Sequence, residues 1–355
     1  MNILFISYFF KPFDGVGAKR LTYWHENLPQ NYTSKVITAT IQEKTNKNII
    51  YIRPVKSNTI ISTFIKDEGL NWLKPLKKHF IKNKEYFKYD KVIITGGPFM
   101  HMLISKFLKR NFNVEVILDF RDPFYGNPRF KNYFFKELIK LHFQNKFLKH
   151  ADKIITVNKY CANLIKGNNI SIIDNGFDEN EINNITDIQF NNKILLNLIA
   201  VGRIDSDFDM IPFLKIIEEL KNTFFHYIGT SLPKINSSES LINYGKQSYN
   251  KTLSYINKSD ICILFTGGEP FESTTKIFDF LAFNKKILII TQGKIKNGSL
   301  YDITKDYPNI CWSLNNAVDI KNNIENLKNK ELKIIDTYKF SRAYSLEKFI
   351  KVINL

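Results

Sequence analysis

Several short stretches carry residue types that could do chemistry together. The densest is Glu269-Pro270-Phe271-Glu272-Ser273-Thr274-Thr275-Lys276-Ile277-Phe278-Asp279. Ser273 or Thr274 can cap a helix opening there, leaving backbone N–H groups that suit a diphosphate. Lys276 then falls in the first turn, where a cation opposes the helix dipole and is unfavourable without an anion. Asp279, three residues further on, could accept two sugar hydroxyls. Arg203, ending Ala200-Val201-Gly202-Arg203, is a cation able to meet a phosphate, or a surface arginine paired with Asp205. Nearer the amino terminus, Leu118-Asp119-Phe120-Arg121-Asp122 sets two carboxylates around an arginine at the end of an apolar run. Such charges are costly unless paired or used, and use is the favoured reading. Gly15 and Gly17 allow close backbone approach at a turn that opens a helix. Thr95-Gly96-Gly97-Pro98-Phe99-Met100-His101 repeats the strand-into-helix pattern, and His101 reads as a helix-face residue rather than a base. Ile173-Asp174-Asn175-Gly176-Phe177-Asp178 reads as a strand followed by a turn.

These residues need elements to position them. Apolar, β-branched runs at 2–8, 35–40, 91–95, 114–119 and 153–157 suit strands buried on both faces. Helical periodicity lies between them at 18–28, 72–87, 101–110 and 132–149. After Asn183 the chain turns polar, which sets a domain boundary at 185/186. Strands at 196–201, 224–229, 261–265 and 286–290 then alternate with helices at 211–221 and 276–282. Strand–helix alternation implies parallel sheets, so the expected fold class is α/β: two Rossmann-like, doubly wound domains facing across a cleft. In such sheets ligands bind beyond the carboxyl ends of the strands, where the loops above fall.

Composition limits what these loops can serve. The 355 residues are 44% hydrophobic and 24% charged, which excludes a collagen-like or broadly disordered chain. No apolar run approaches the roughly 18 residues of a membrane-spanning helix, and the opening residues lack the basic region of a signal peptide. Cys161, Cys262 and Cys311 read as buried thiols in a reducing compartment, neither a disulfide framework nor a zinc site. A cytoplasmic protein is expected. The net charge of +17 suits nucleic acid, an anionic membrane face or an anionic small substrate. Lys far outnumbers Arg and Asn is frequent, so biased composition could also explain it. Scarce Arg and the absence of nucleic-acid motifs argue against nucleic acid. Two basic amphipathic stretches, 72–88 and 132–149, could dock on anionic lipid, or pack on the core with lysine-rich outer faces.

With these motifs in order, the chain resembles GT-B glycosyltransferases, specifically the retaining family 4 type of bacterial polysaccharide assembly. The resemblance rests on SYFFKPFDGVGAKR, TGGPF, DFRDPF, DNGFD and ESTTKIFDFLA and spans nearly the whole chain. It implies an acceptor-binding domain at 1–185, completed by a last helix at 340–355, and a nucleotide-sugar-binding domain at 186–339. Gly15 and Gly17 would approach the donor phosphate or sugar, and Arg203 would bind the diphosphate. Ser273, Thr274 and Thr275 would offer N–H and hydroxyl groups, and Asp279 would hold the ribose. The family's first glutamate falls on Phe271, with Glu272 one place off. Its usual lysine after Gly-Arg is absent, and Arg121 stands where many members carry a histidine. The resemblance implies retaining transfer of a sugar from a nucleotide diphosphate to a glycan or polyprenyl-linked acceptor. Arg203, residues 273–275 and Lys276 would stabilise the departing diphosphate without a metal or other cofactor. Asp119 or Asp122 would orient the acceptor. Peripheral contact with anionic inner-membrane lipid would suit a lipid-linked acceptor. Two alternatives stay open: a nucleotide-sugar epimerase of the same architecture, and an inactive nucleotide-sugar-binding partner in a polysaccharide assembly complex.

Overall fold

Runs of alternating contacts explain why the apolar segments become strands. In β8 (Leu196–Val201) and β11 (Ile261–Thr266), Leu198, Ala200, Ile261 and Ile263 pack into one cluster, while Ile199, Val201, Cys262 and Leu264 pack into another. Successive side chains point to opposite faces, and both faces are covered, so continuous hydrophobicity is what a buried parallel strand requires. The computed structural model describes residues 1–42, 46–127, 133–190, 196–205, 207–230, 240–272 and 274–355.

The chain divides into two units, Met1–Asp174 with Leu346–Leu355, and Asn175–Ser345. The first holds β1 (Asn2–Ser7), β2 (Thr33–Thr38), β3 (Ile49–Tyr51), β4 (Lys91–Thr95), β5 (Glu115–Phe120), β6 (Lys153–Thr156) and β7 (Ile170–Ile172), all parallel, in the order β3-β2-β1-β4-β5-β6-β7. Its helices are α1 (Val16–Asn27), α2 (Ile60–Phe64), α3 (Gly69–Lys82), α4 (Ile104–Asn111), α5 (Phe134–Leu148) and α6 (Lys159–Ile165). The helix expected over 72–87 stops at Lys82, and the one expected from 101 begins as a 3-10 turn at Met100–Leu103.

The second unit holds β8, β9 (Thr223–Ile228), β10 (Leu241–Asn243), β11, β12 (Lys286–Thr291) and β13 (Ile310–Leu314), parallel in the order β10-β9-β8-β11-β12-β13. With it go α7 (Glu179–Asn183), α8 (Ile211–Glu219), α9 (Tyr249–Lys258), α10 (Lys276–Ala282), α11 (Gly298–Thr304) and α12 (Ala317–Asn329). The last helix, α13 (Arg342–Asn354), starts in this unit, and its residues from Leu346 count with the first. There Phe349 stacks on Trp24 at 4.3 Å between ring centres. The division at Asp174/Asn175 falls before the polar stretch that marks 185/186 in the sequence. The reason lies in the DNGFD turn: Phe177 bridges to Ser341, and Arg342 pairs with Asp178 at 2.9 Å. Cys161 and Cys262 are buried, but Cys311 is only half-buried, contrary to expectation. Among the described residues, no helix is long and apolar enough to cross a membrane.

Candidate functional site

In the second unit the strand order reverses between β8 and β11, the place where open α/β sheets bind ligands. The turn after β8 requires its glycine. Gly202 sits at φ +72°, and a Cβ there would lie 2.7 Å from Cε of Lys276. Lys276, first residue of α10, donates from Nζ to the carbonyl oxygen of Arg203 at 2.7 Å. The Tyr227 hydroxyl donates to the Gly202 carbonyl at 2.9 Å, so the turn is held from two sides. Lys276 therefore has an acceptor within the chain, the Arg203 carbonyl, which the sequence pattern did not show. Arg203 remains 73% exposed, with Asp205 at 3.2 Å, the partner its surface reading requires. Lys276 thus joins the Arg203 loop to the start of α10.

Around that junction, Glu272 accepts from the Thr266 hydroxyl at 2.6 Å, and Thr266 Oγ1 accepts from the Gly268 amide at 3.0 Å. The carboxylate therefore braces the loop after β11. Thr275, one place beyond Thr274, is the capping residue of α10, and its side chain makes no capping bond. Thr274 accepts the Ile277 amide through its carbonyl at 3.4 Å. Ser273 lies outside the described residues. Asp279 accepts from the Tyr249 hydroxyl at 2.7 Å, a partner that sequence reasoning missed. Burial, then the nearby Asp279 charge, pushes the Tyr249 hydroxyl far up, so it stays protonated and donating. No local signal pairs these residues; the packing of α9 on α10 does.

In the first unit the charged loop is turned inward. Asp119 is 0% exposed, with Oδ1 at 3.4 Å from Nη2 of buried Arg20, and Oδ2 accepts from the Thr95 hydroxyl at 3.0 Å. So enclosed, the carboxylate is turned towards Arg20 and Thr95 and away from solvent. Arg20 lies 4.4 Å from the Trp24 ring centre. Burial lowers its pKa, while Asp119 opposes the shift. The Arg20/Trp24 spacing on α1 is the signal that could have found it.

Arg121 likewise spends its donors on the chain. It donates to the Gly96 carbonyl through Nε (3.1 Å) and Nη2 (2.7 Å), to Gly97 through Nη2 (3.1 Å), and to Val16 through Nη1 (3.4 Å). It ties the loops after β1, β4 and β5 together. Gly97, at φ +80°, and Gly17 allow this: a Cβ would meet Arg121 at 3.3 and 3.1 Å. Gly15 is the capping residue of α1, but the Phe13 ring fills the space beside it, 2.1 Å from where a Cβ would lie. The glycine makes room for the Phe13 ring. Asp122 is exposed, alone of the three candidate catalytic residues in this. The turn after β4 carries its own anion: Asp67 accepts from the amides of Phe99 (2.8 Å), Met100 (3.0 Å) and Gly69 (2.9 Å). His101 is fully buried against Trp72 and Tyr8, and burial pushes its pKa down to about 3, so it stays neutral. Among the described residues, no cluster of three His, Cys, Asp or Glu side chains could hold a metal ion.

No known protein-family model matches the chain, and no curated protein matches it in sequence. Solved structures do match, over the whole length. The lipopolysaccharide outer core galactosyltransferase WaaB, in its apo form, superposes with a TM-score of 0.64 at 14% identity, covering 100% of this chain and 99% of WaaB. The UDP-GlcNAc 2-epimerase of Neisseria meningitidis, bound to UDP-GlcNAc, matches with a TM-score of 0.59 at 10% identity, covering 100% of both chains. CalG4, the calicheamicin glycosyltransferase, matches with a TM-score of 0.53 at 9% identity over 99% of this chain and 98% of its own. The fold is GT-B, shared by these glycosyltransferases and by UDP-GlcNAc 2-epimerases.

Proposed function

We propose that the chain is a glycosyltransferase that moves a sugar from a nucleotide diphosphate to a glycan or polyprenyl-linked acceptor hydroxyl, with retention, in surface polysaccharide synthesis. The observation that carries this reading is the Lys276–Arg203 junction at the strand-order reversal of the second unit, in a fold shared with galactosyltransferase WaaB. Lys276 fixes the loop that presents Arg203, and the Arg203 guanidinium is free to swing from Asp205 to a diphosphate. Asp279, which accepts from the Tyr249 hydroxyl through Oδ1, would hold the ribose hydroxyls. A leaving diphosphate so neutralised needs no metal, and its oxygen can take the acceptor proton as the new glycosidic bond forms. In the first unit the exposed Asp122 would orient the acceptor, and Asp119 supports the loop through Arg20 and Thr95.

The epimerase reading is supported by full-length matches to several UDP-GlcNAc 2-epimerases. Incubation with a panel of nucleotide sugars separates the two. Transfer predicts release of nucleoside diphosphate that rises when an acceptor glycan is added. Sugar interconversion without any acceptor would replace it with the epimerase reading, and neither reaction, in a protein that binds the donor, would leave a binding partner.

A further inference from the structure

The net charge is not spread over the chain. Of its 51 Lys and Arg and 34 Asp and Glu, the first unit holds 31 and 14, and the second 20 and 20. The whole excess of +17 therefore resides in the first unit. Biased composition would act on both units alike, so it does not account for this partition. An anionic donor held in the second unit does not account for it either. We infer that the first unit docks on an anionic lipid surface through α2 and the first turn of α5.

The two basic stretches seen in the sequence part company in the structure. On α3, Trp72, Leu76 and Phe80 are buried in the core, so its lysines decorate an ordinary packing helix. On α5, Phe143 and Phe147 go to the core, but Phe134 and Phe135 stand 72% and 76% exposed, with Tyr133 before them. Lys136 follows directly. The segment before α3 adds a patch that the sequence pattern hid: Ile60 is 80% exposed and Phe64 49%, between Lys56 and Lys66. Both patches lie at the carboxyl end of the first sheet. α2 falls between β3 and Asp67, which touches the turn after β4, and α5 runs from the loop after β5 back towards β6. Aromatic and aliphatic side chains interleaved with lysines are what an interfacial element requires: the rings enter the headgroup boundary and the ammonium groups meet lipid phosphates. The exposed apolar groups favour lipid over nucleic acid, which would call on stacking or bidentate arginine contacts. The same end carries Asp122, so a lipid-anchored acceptor would arrive beside it.

The test is sedimentation of purified protein with vesicles of phosphatidylcholine alone, or of phosphatidylcholine and phosphatidylglycerol in equal parts. The wild type should bind the anionic vesicles, ignore the neutral ones and be released by salt at about 1 M. Phe134→Ser/Phe135→Ser and Ile60→Ser/Phe64→Ser should each weaken binding about tenfold or more. Val318→Ser, at an exposed valine of the neutral second unit, should bind as the wild type does. Circular dichroism melts check that the variants fold; all the altered residues are exposed. Absence of binding to anionic vesicles, or binding that both patch variants retain, overturns the inference. So does a dimer in sedimentation velocity that the patch variants dissociate, since the patch would then belong to a second copy. No donor or acceptor enters the assay, so failure of the sugar-transfer reading would leave this result untouched.

Discussion

The two units share a sheet architecture yet use an arginine at a strand end in different ways. In the first, Arg121 is bonded to the carbonyls of Gly96, Gly97 and Val16, Asp119 faces Arg20 inside the core, and Asp67 caps the turn after β4. In the second, Lys276 bonds the Arg203 carbonyl while the Arg203 side chain stays in solvent. Charges turned inward hold loops in shape, and a charge held outward on a fixed loop is available to an anion. Position at a strand's carboxyl end is therefore not enough to identify a ligand-binding residue; the partners decide.

The sharpest way to break this contrast is to remove one arginine from each unit. Arg20→Met leaves Asp119 buried without its cation and should destabilise the protein by about 3–5 kcal/mol. Arg203→Met, at an exposed position, should change stability by no more than about 0.5 kcal/mol. Urea unfolding of both variants measures the difference, and equal losses would erase it. Next in size is donor binding. Arg203→Ala and Lys276→Ala should each weaken nucleotide-sugar affinity by about 1.5–3 kcal/mol, the scale of bonds to charged groups. Calorimetric titration checks this; wild-type affinity in both would remove the donor site from this loop. Arg121→Ala should instead lower the melting temperature while leaving donor affinity within twofold or so, since its bonds run to the first unit's own carbonyls.

Much of the fold was legible because buried parallel strands announce themselves as continuous apolar runs: β4 and β8 fall at the residues the sequence pattern marks, and so does the helix α10. The short edge strands β3, β7 and β10, three residues each, were not, since so brief a run has no readable period. The site was legible as loops but not as roles. Asp119 and Arg121 have the composition of a catalytic pair, and only the fold brings Arg20 to one and three carbonyls to the other. Tyr249 beside Asp279 and Asp67 beside Phe99 are likewise long-range meetings, with no local pattern to reveal them.

The comparison is sharpened further through pH. His226 in the second unit lies between Asn197 Oδ1 (3.0 Å from Nε2) and the Tyr244 hydroxyl (3.1 Å from Nδ1), and burial pushes its pKa down to about 4. Its folded form holds the neutral ring, so its contribution is complete above the unfolded value of about 6.5 and is lost as pH falls from there towards 4. His25 in the first unit, pushed to about 4 by burial and then by Lys11, follows the same sign. Melting temperature should therefore decline through that window. His226→Gln should flatten part of the decline, and an unchanged slope would assign it to other groups.

The central claim, that the Arg203–Lys276 junction receives a nucleotide diphosphate, meets its most direct test in a thermal-shift panel of UDP, GDP, ADP, CMP and their sugar conjugates. A ligand at 100 times its dissociation constant stabilises by about 2.7 kcal/mol, well within detection. Stabilisation of the wild type by one nucleotide diphosphate class, lost in Arg203→Ala and Lys276→Ala, is the predicted result. A folded wild type that no member of the panel stabilises, or one stabilised equally with and without those two side chains, would contradict it.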